Sequence, residues 1–134
     1  MYEPKPYILL VDDDADDLEM LSGSLELAGI RTKSFSSACN AISYLDFVSD
    51  TLQVPLLIIT DYKMPGITGK QFLETVKQNP ATSEIPVVFY STGMTPPLET
   101  ALLASGASAC FSKPWSYQES LTQIEIFKKL ASSP

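Results

Sequence analysis

The chain has 134 residues, 45% of them hydrophobic, and its 16 acidic and 9 basic side chains leave a formal net charge of −7. That length suits one domain with a sizeable core and leaves no room for a second folded domain. With no histidine and only two cysteines, Ser-His-Asp and Cys-His nucleophiles, imidazole zinc sites and all-cysteine zinc sites are excluded, and the acidic balance argues against nucleic acid and anionic membranes, which attract clustered Lys and Arg.

The opening stretch MYEPKPYILLVDDD turns acidic where the apolar region of a secretory leader would continue. Within it, YILLV at residues 7–11 is a short apolar run that predicts a buried strand. A helix follows from Asp14, with Leu18, Leu21, Leu25 and Ala28 on one face and Gly29 as its stop. Residues 30–35 (IRTKSF) predict a weaker, more polar strand, and Ala38, Ile42 and Leu45 mark a second helix. Residues 54–60 (VPLLIIT) predict the strongest strand, apolar on both faces and far too short to span a bilayer. Phe72, Leu73 and Val76 mark a third helix ending near Asn79-Pro80, and residues 86–90 (PVVFY) a fourth strand. Leu98, Ala101 and Leu102 lie on a fourth helix, started by Pro96-Pro97 and stopped by Gly106. Residues 107–112 hold a short fifth strand, and Tyr117, Leu121, Ile124 and Leu130 run down a final helix. Cys39 and Cys110 are too few for a disulfide scaffold, so free thiols in a reducing, cytoplasmic setting are expected.

Five strand–helix units in strict alternation predict an α/β fold: a doubly wound, flavodoxin-like parallel sheet with helices on both faces. The polar second strand and the short fifth suit the edges, and the apolar first, third and fourth suit the centre. This favours the order 2-1-3-4-5, in which ligands bind outside the carboxyl ends of strands 1 and 3.

Those two ends are acidic. Asp12, Asp13, Asp14, Asp16 and Asp17 follow the first strand, and Asp61 follows the third. Carboxylates brought this close repel one another unless a cation sits among them, and hard oxygen ligands suit Mg2+ or Mn2+. Asp14 is placed to cap the first helix, with Asp16 and Asp17 in its first turn favouring the helix dipole. Asp12 and Asp13, at the strand end itself, are the metal candidates; the plainer alternative is a solvated acidic loop. Strand 4 runs into Ser91-Thr92-Gly93 and strand 5 into Lys113-Pro114. A hydroxyl and an ammonium beside an acidic metal site resemble ligands for a phosphoryl group. Taken singly, Ser91 reads as a turn residue and Lys113 as a surface lysine.

Four motifs, in order, carry a resemblance: LLVDDD at 9–14, TDYKMPGITG at 60–69, STG at 91–93 and SKPW at 112–115. From about residue 7 to residue 130 the chain resembles the receiver domains of two-component response regulators. The resemblance implies that Asp61 is the phosphoacceptor, attacking a phosphohistidine on a sensor histidine kinase or histidine phosphotransfer protein. It implies that Asp12, Asp13, Asp61 and the backbone carbonyl of Lys63 hold the metal, that Ser91 is the switch hydroxyl and that Lys113 contacts the phosphoryl group. It also implies a cis Lys113–Pro114 bond, and an output face for a downstream protein on the fourth helix, fifth strand and fifth helix.

Three positions depart from the family pattern. Cys110 stands where receivers commonly carry an aromatic switch residue, and Phe111 beside it is expected on the opposite face. Pro96-Pro97 stiffens the start of the fourth helix. Lys63 stands two residues after Asp61, where its side chain has Glu99 or a phosphoryl oxygen as possible partners. Cys110 is read as core packing, with redox sensing as the alternative, and Trp115 as a core or hinge aromatic, with an exposed partner contact as the alternative. The leading reading is a single receiver that acts as a signalling switch through its partners rather than as an enzyme. Against it stand a non-phosphorylated pseudo-receiver, which predicts damage in the acidic pair, the acceptor or the lysine, and a phosphohydrolase using Asp61 as nucleophile.

Overall fold

The computed structural model describes residues 6–132. Five strands and five helices alternate: β1 (Tyr7–Val11), α1 (Ala15–Leu27), β2 (Arg31–Phe35), α2 (Ala38–Val48), β3 (Leu57–Thr60), α3 (Gly69–Gln78), β4 (Val87–Ser91), α4 (Pro96–Ala104), β5 (Ala109–Ser112) and α5 (Tyr117–Ser132). The strands form one parallel sheet in the order β2-β1-β3-β4-β5. The fold class is as the alternation predicts, and the strand order as the polarity and length of the strands predict.

Alternation along each strand divides the core in two. Leu9, Val11, Ile58, Val87 and Phe89 face α2, α3 and α4, where Ala41, Leu45, Phe72, Leu73 and Leu102 meet them. Ile8, Leu10, Leu57, Ile59, Val88 and Tyr90 face α1 and α5, against Leu21, Leu25, Ile124 and Phe127. The three central strands are thus buried on both faces, which is why they read as unbroken apolar runs.

Helix starts follow the polar residues that can accept from free N–H groups. Asp14, Ser37, Thr68 and Thr95 cap α1, α2, α3 and α4, and Thr68 with Gln71 completes a capping box. Gly29, with φ +88°, takes the left-handed conformation just past the end of α1.

Three expectations need correction. The third strand begins at Leu57 rather than at residue 54, because Pro55 has no N–H to give a ladder. The buried stripe of α5 comprises Gln123, Ile124, Phe127 and Ala131, whereas Tyr117 is 77% and Leu121 47% exposed. Gln123 replaces Leu121 on that stripe because its Nε2 donates to the Ser112 carbonyl at 2.7 Å, tying the helix to the end of β5. Trp115, expected first as a core or hinge aromatic, is not in the core: it is 91% exposed and stands in the β5–α5 loop outside the carboxyl ends of the strands, beyond both core clusters.

Candidate functional site

Register brings the site together. Val11 pairs with Thr60, so the residues after them, Asp12 and Asp61, leave adjacent strand ends. The ladder continues one step further, with Asp61 N–H donating to the Val11 carbonyl at 2.9 Å and Asp12 N–H to that of Phe35 at 3.1 Å. On the other side of β3, Ser91 pairs with Ser112, which places Lys113 at the next strand end.

Asp12 and Asp61 are buried, and Asp13 is exposed at the mouth. Each of the three offers a carboxylate oxygen within 4.8 Å of the other two. Asp61 Oδ1 accepts from the Tyr62 N–H at 2.7 Å and, in a close contact, from the Ser91 hydroxyl. The same Tyr62 N–H also reaches Ser91 Oγ at 3.0 Å, which knits the β3 and β4 loops together. Lys113 Nζ lies 2.8 Å from Asp12 Oδ2, 2.7 Å from Asp17 Oδ2 and 3.5 Å from Asp61 Oδ2.

Charge is held here against its preference. Burial pushes the Asp12 carboxyl above the usual range, the Lys113 ammonium and the Asp14 N–H pull it back, and the charge of Asp61 pushes it up again. Burial by itself would lower Lys113, but its bonds to Asp12 and Asp17 outweigh that and hold the ammonium protonated above the ordinary lysine range. Three carboxylates (Asp12, Asp17 and Asp61) therefore lie within 3.5 Å of one ammonium, and Asp13 adds a fourth beside Asp12 and Asp61. A small divalent cation among Asp12, Asp13 and Asp61 would offset the excess, and an all-oxygen donor set suits Mg2+ or Mn2+.

The predicted residues fall as follows. Asp12, Asp13, Asp61, Ser91 and Lys113 converge on one crevice. Lys63 lies in the β3–α3 loop with its side chain exposed; among the described residues it forms no ion pair with Glu99, and no hydrogen bond reaches its backbone carbonyl. The Lys113–Pro114 bond is trans, as are all described peptide bonds, correcting the cis expectation; trans is the lower-energy isomer even before proline. Cys110 packs with the α4 side of the core while Phe111 meets Phe127 edge-on at 5.3 Å, so the two occupy opposite faces as expected.

Two residues of the site were not legible beforehand. Asp17, expected to serve the helix dipole, reaches Lys113 with its carboxylate. The available signal was its position one turn into a helix that starts beside a strand end. Gly69 closes the motif at 60–69 without a role assigned to it, yet a Cβ there would stand 2.7 Å from a Phe89 ring carbon, 2.8 Å from Tyr62 Cα and 2.9 Å from the Asp61 carbonyl oxygen. Its N–H donates to the Tyr62 carbonyl at 2.9 Å, so α3 begins directly against the Asp61 loop. A glycine at the first helical position, where it is a poor helix former, was the clue.

Residues 8–125 match the family described as response regulator receiver domain. The chain belongs to that family. Among curated relatives of this receiver is the two-component response regulator ARR17 of Arabidopsis thaliana, 32% identical over 120 residues that cover 84% of this chain and 78% of the relative. The share of a relative's own length that is spanned varies, from 55% to 82% in two other cases. Among solved structures, the receiver is similar to the chemotaxis protein CheY4 of Vibrio cholerae, with a TM-score of 0.80, 22% identity, and coverage of 93% of this chain and 98% of that one. It is equally similar to the Mn2+-bound form of response regulator Rcp1, with a TM-score of 0.80, 20% identity and 97% of each chain covered. These structural likenesses speak for the fold. Among the described residues no helix is long and apolar enough to cross a membrane.

Proposed function

We propose that the chain is a phosphoacceptor receiver of a two-component system or phosphorelay, in which Asp61 takes a phosphoryl group from a phosphohistidine on a sensor kinase or phosphotransfer protein. The observation that carries this is the convergence of Asp61 with Asp12, Asp13, Ser91 and Lys113 at adjacent carboxyl ends of a parallel sheet, in a chain that belongs to the receiver family.

In this reading an Asp61 carboxylate oxygen attacks phosphorus. A P–O bond forms as the P–N bond breaks, and the imidazole leaves neutral when its other ring nitrogen carries a proton. Asp12, Asp13, Asp61 and the Lys63 carbonyl would hold Mg2+ or Mn2+, whose contribution is to neutralise charge on the phosphoryl oxygens. The donor set fits a hard cation, and the Mn2+-bound relative is consistent with that. The ammonium of Lys113 supplies the second positive charge, and the Ser91 hydroxyl, now on Asp61, transfers its hydrogen bond to a phosphoryl oxygen. The resulting aspartyl phosphate adds about −1.5 to −2 charges if it ionises like other phosphorylated side chains. Moving Ser91 draws its loop along, a local event with a remote readout for a downstream protein on the face of α4, β5 and α5. The receiver unit in this reading is a single domain with its core at about residues 7–130, acting in the cytoplasm as a switch rather than as an enzyme of turnover.

Incubation with Mg2+ and acetyl phosphate, followed by intact-mass measurement, tests the proposal. A single phosphoryl adduct that is absent from Asp61→Asn is expected. No adduct from any donor or kinase would favour the pseudo-receiver, and sustained phosphate release over many turnovers would favour a hydrolase.

A further inference from the structure

Lys113 is held by more than the residues it serves. An ammonium has three N–H donors, and here its two short bonds go to Asp12 at 2.8 Å and Asp17 at 2.7 Å, whereas Asp61 stands at the outer limit of 3.5 Å. Asp17 reaches the lysine for a local reason. It is the third residue of α1, where an acidic side chain would ordinarily turn back to the N–H of the capping residue. That N–H, on Asp14, is already taken by Asp12 Oδ1 at 2.9 Å, while Asp14 itself accepts from the backbone N–H groups of Asp16 and Asp17. The Asp17 carboxylate is thereby released from the cap and directed to Lys113.

We propose that Asp17 is a positioning residue that latches Lys113 away from Asp61 in the resting receiver and competes with the phosphoryl group for the ammonium. The inference rests on the reading of Asp61 as phosphoacceptor. When a phosphoryl group occupies Asp61, Lys113 turns one N–H from Asp17 to a phosphoryl oxygen. The Asp17 contact therefore stabilises only the resting state, and its removal shifts the balance toward the occupied one. The latch is weak enough to release, because Asp17 is 37% exposed at its side chain and its pairing is partly screened. Neighbouring Asp16 provides the control. It lies in the same turn with the same charge and the same relation to the helix dipole, yet its carboxylate has no partner among the described residues.

The test titrates beryllofluoride, a mimic of the aspartyl phosphate, at saturating Mg2+ against wild type, Asp17→Asn, Asp16→Asn, Asp17→Glu and Asp61→Asn. Asp17→Asn should bind about threefold to fivefold tighter, the range of a partly exposed ion pair. Asp16→Asn should stay within about twofold of wild type, and Asp17→Glu, which restores a carboxylate of nearly the same reach, should return toward it. In metal-free protein the Lys113 ammonium 1H–15N signal should be visible in wild type and Asp16→Asn and lost in Asp17→Asn, a change that loss of a helix-dipole charge alone would not produce. Unchanged or weaker binding in Asp17→Asn, an equal gain in Asp16→Asn, or an ammonium signal indifferent to Asp17 overturns the latch. Failure of beryllofluoride to bind wild type, or binding that survives in Asp61→Asn, would instead overturn the phosphoacceptor reading beneath it.

Discussion

Single side chains in this protein take their chemistry from what lies behind them. Cys110 illustrates this at the position where receivers commonly place an aromatic. Burial, with a smaller push from the charge of Glu99, raises its thiol from an ordinary value of 9.0 to about 11. Cys39 is exposed. A thiol reagent at pH 8 should therefore modify Cys39 quickly and Cys110 slowly, with the second reaction accelerating only as pH approaches about 11, as followed by peptide mass. The stability consequence has a definite sign. Between pH 9 and about 11 the unfolded thiol ionises before the folded one, so the unfolded state holds fewer protons and stability falls as pH rises. Cys110→Ala should make the denaturation midpoint less steep across that window and leave it unchanged below it. The aromatic work that Cys110 cannot do is not simply transferred to its neighbour, because Phe111 packs on Phe127 on the far side of the sheet.

The elements meet most tightly where the acceptor loop joins α3. Gly69 opens that helix where an added Cβ would run into the Tyr62 backbone and the Asp61 carbonyl, and neither backbone can yield without shifting Asp61. Gly69→Ala should destabilise the fold by about 1–3 kcal/mol, the cost of overpacking. It should also slow phosphoryl uptake, because the loop that holds Asp61 is the part displaced. Gly23, in the middle of α1 where an added Cβ would meet open space, is the counterpart. Gly23→Ala should stabilise by about 0.5–1 kcal/mol, since only the helix preference changes. Thermal unfolding of the two variants in parallel checks both signs. α5 teaches a related lesson. Its apolar periodicity predicts Tyr117 and Leu121 as inward, but one polar bond from Gln123 to the end of β5 sets which stripe is covered.

Across the whole molecule the acidic crevice is a linkage device. Asp12 and Asp61 are buried close together, and both burial and their mutual repulsion tax the folded state. A cation that binds only the folded crevice should stabilise it by RT ln(1 + [Mg2+]/Kd), about 2.7 kcal/mol at a hundredfold excess over Kd. At that excess the midpoint of thermal unfolding should rise by roughly 10 °C for a domain near this size, return on chelation, and fail to rise in Asp13→Asn. Asp13 is the informative variant because it is exposed and its loss leaves the core intact.

Much of this architecture was legible from residues alone. The unbroken apolar runs, the capping residue Asp14 and the strict alternation of periods determined the strands, the helices and the doubly wound class, because each reflects local geometry or burial on two faces. Asp12, Asp13, Asp61, Ser91 and Lys113 could be named because they stand at or just past strand ends, and parallel strands must deliver those ends to one edge of the sheet. What tertiary structure decided depends on distances that no linear pattern encodes. Only the packed molecule brings Asp17 to Lys113 across 96 residues, seats Gly69 against Asp61, turns Gln123 inward and leaves Trp115 in solvent. A side chain's period specifies the face it prefers; which partner waits there is determined by how the helices close over the sheet.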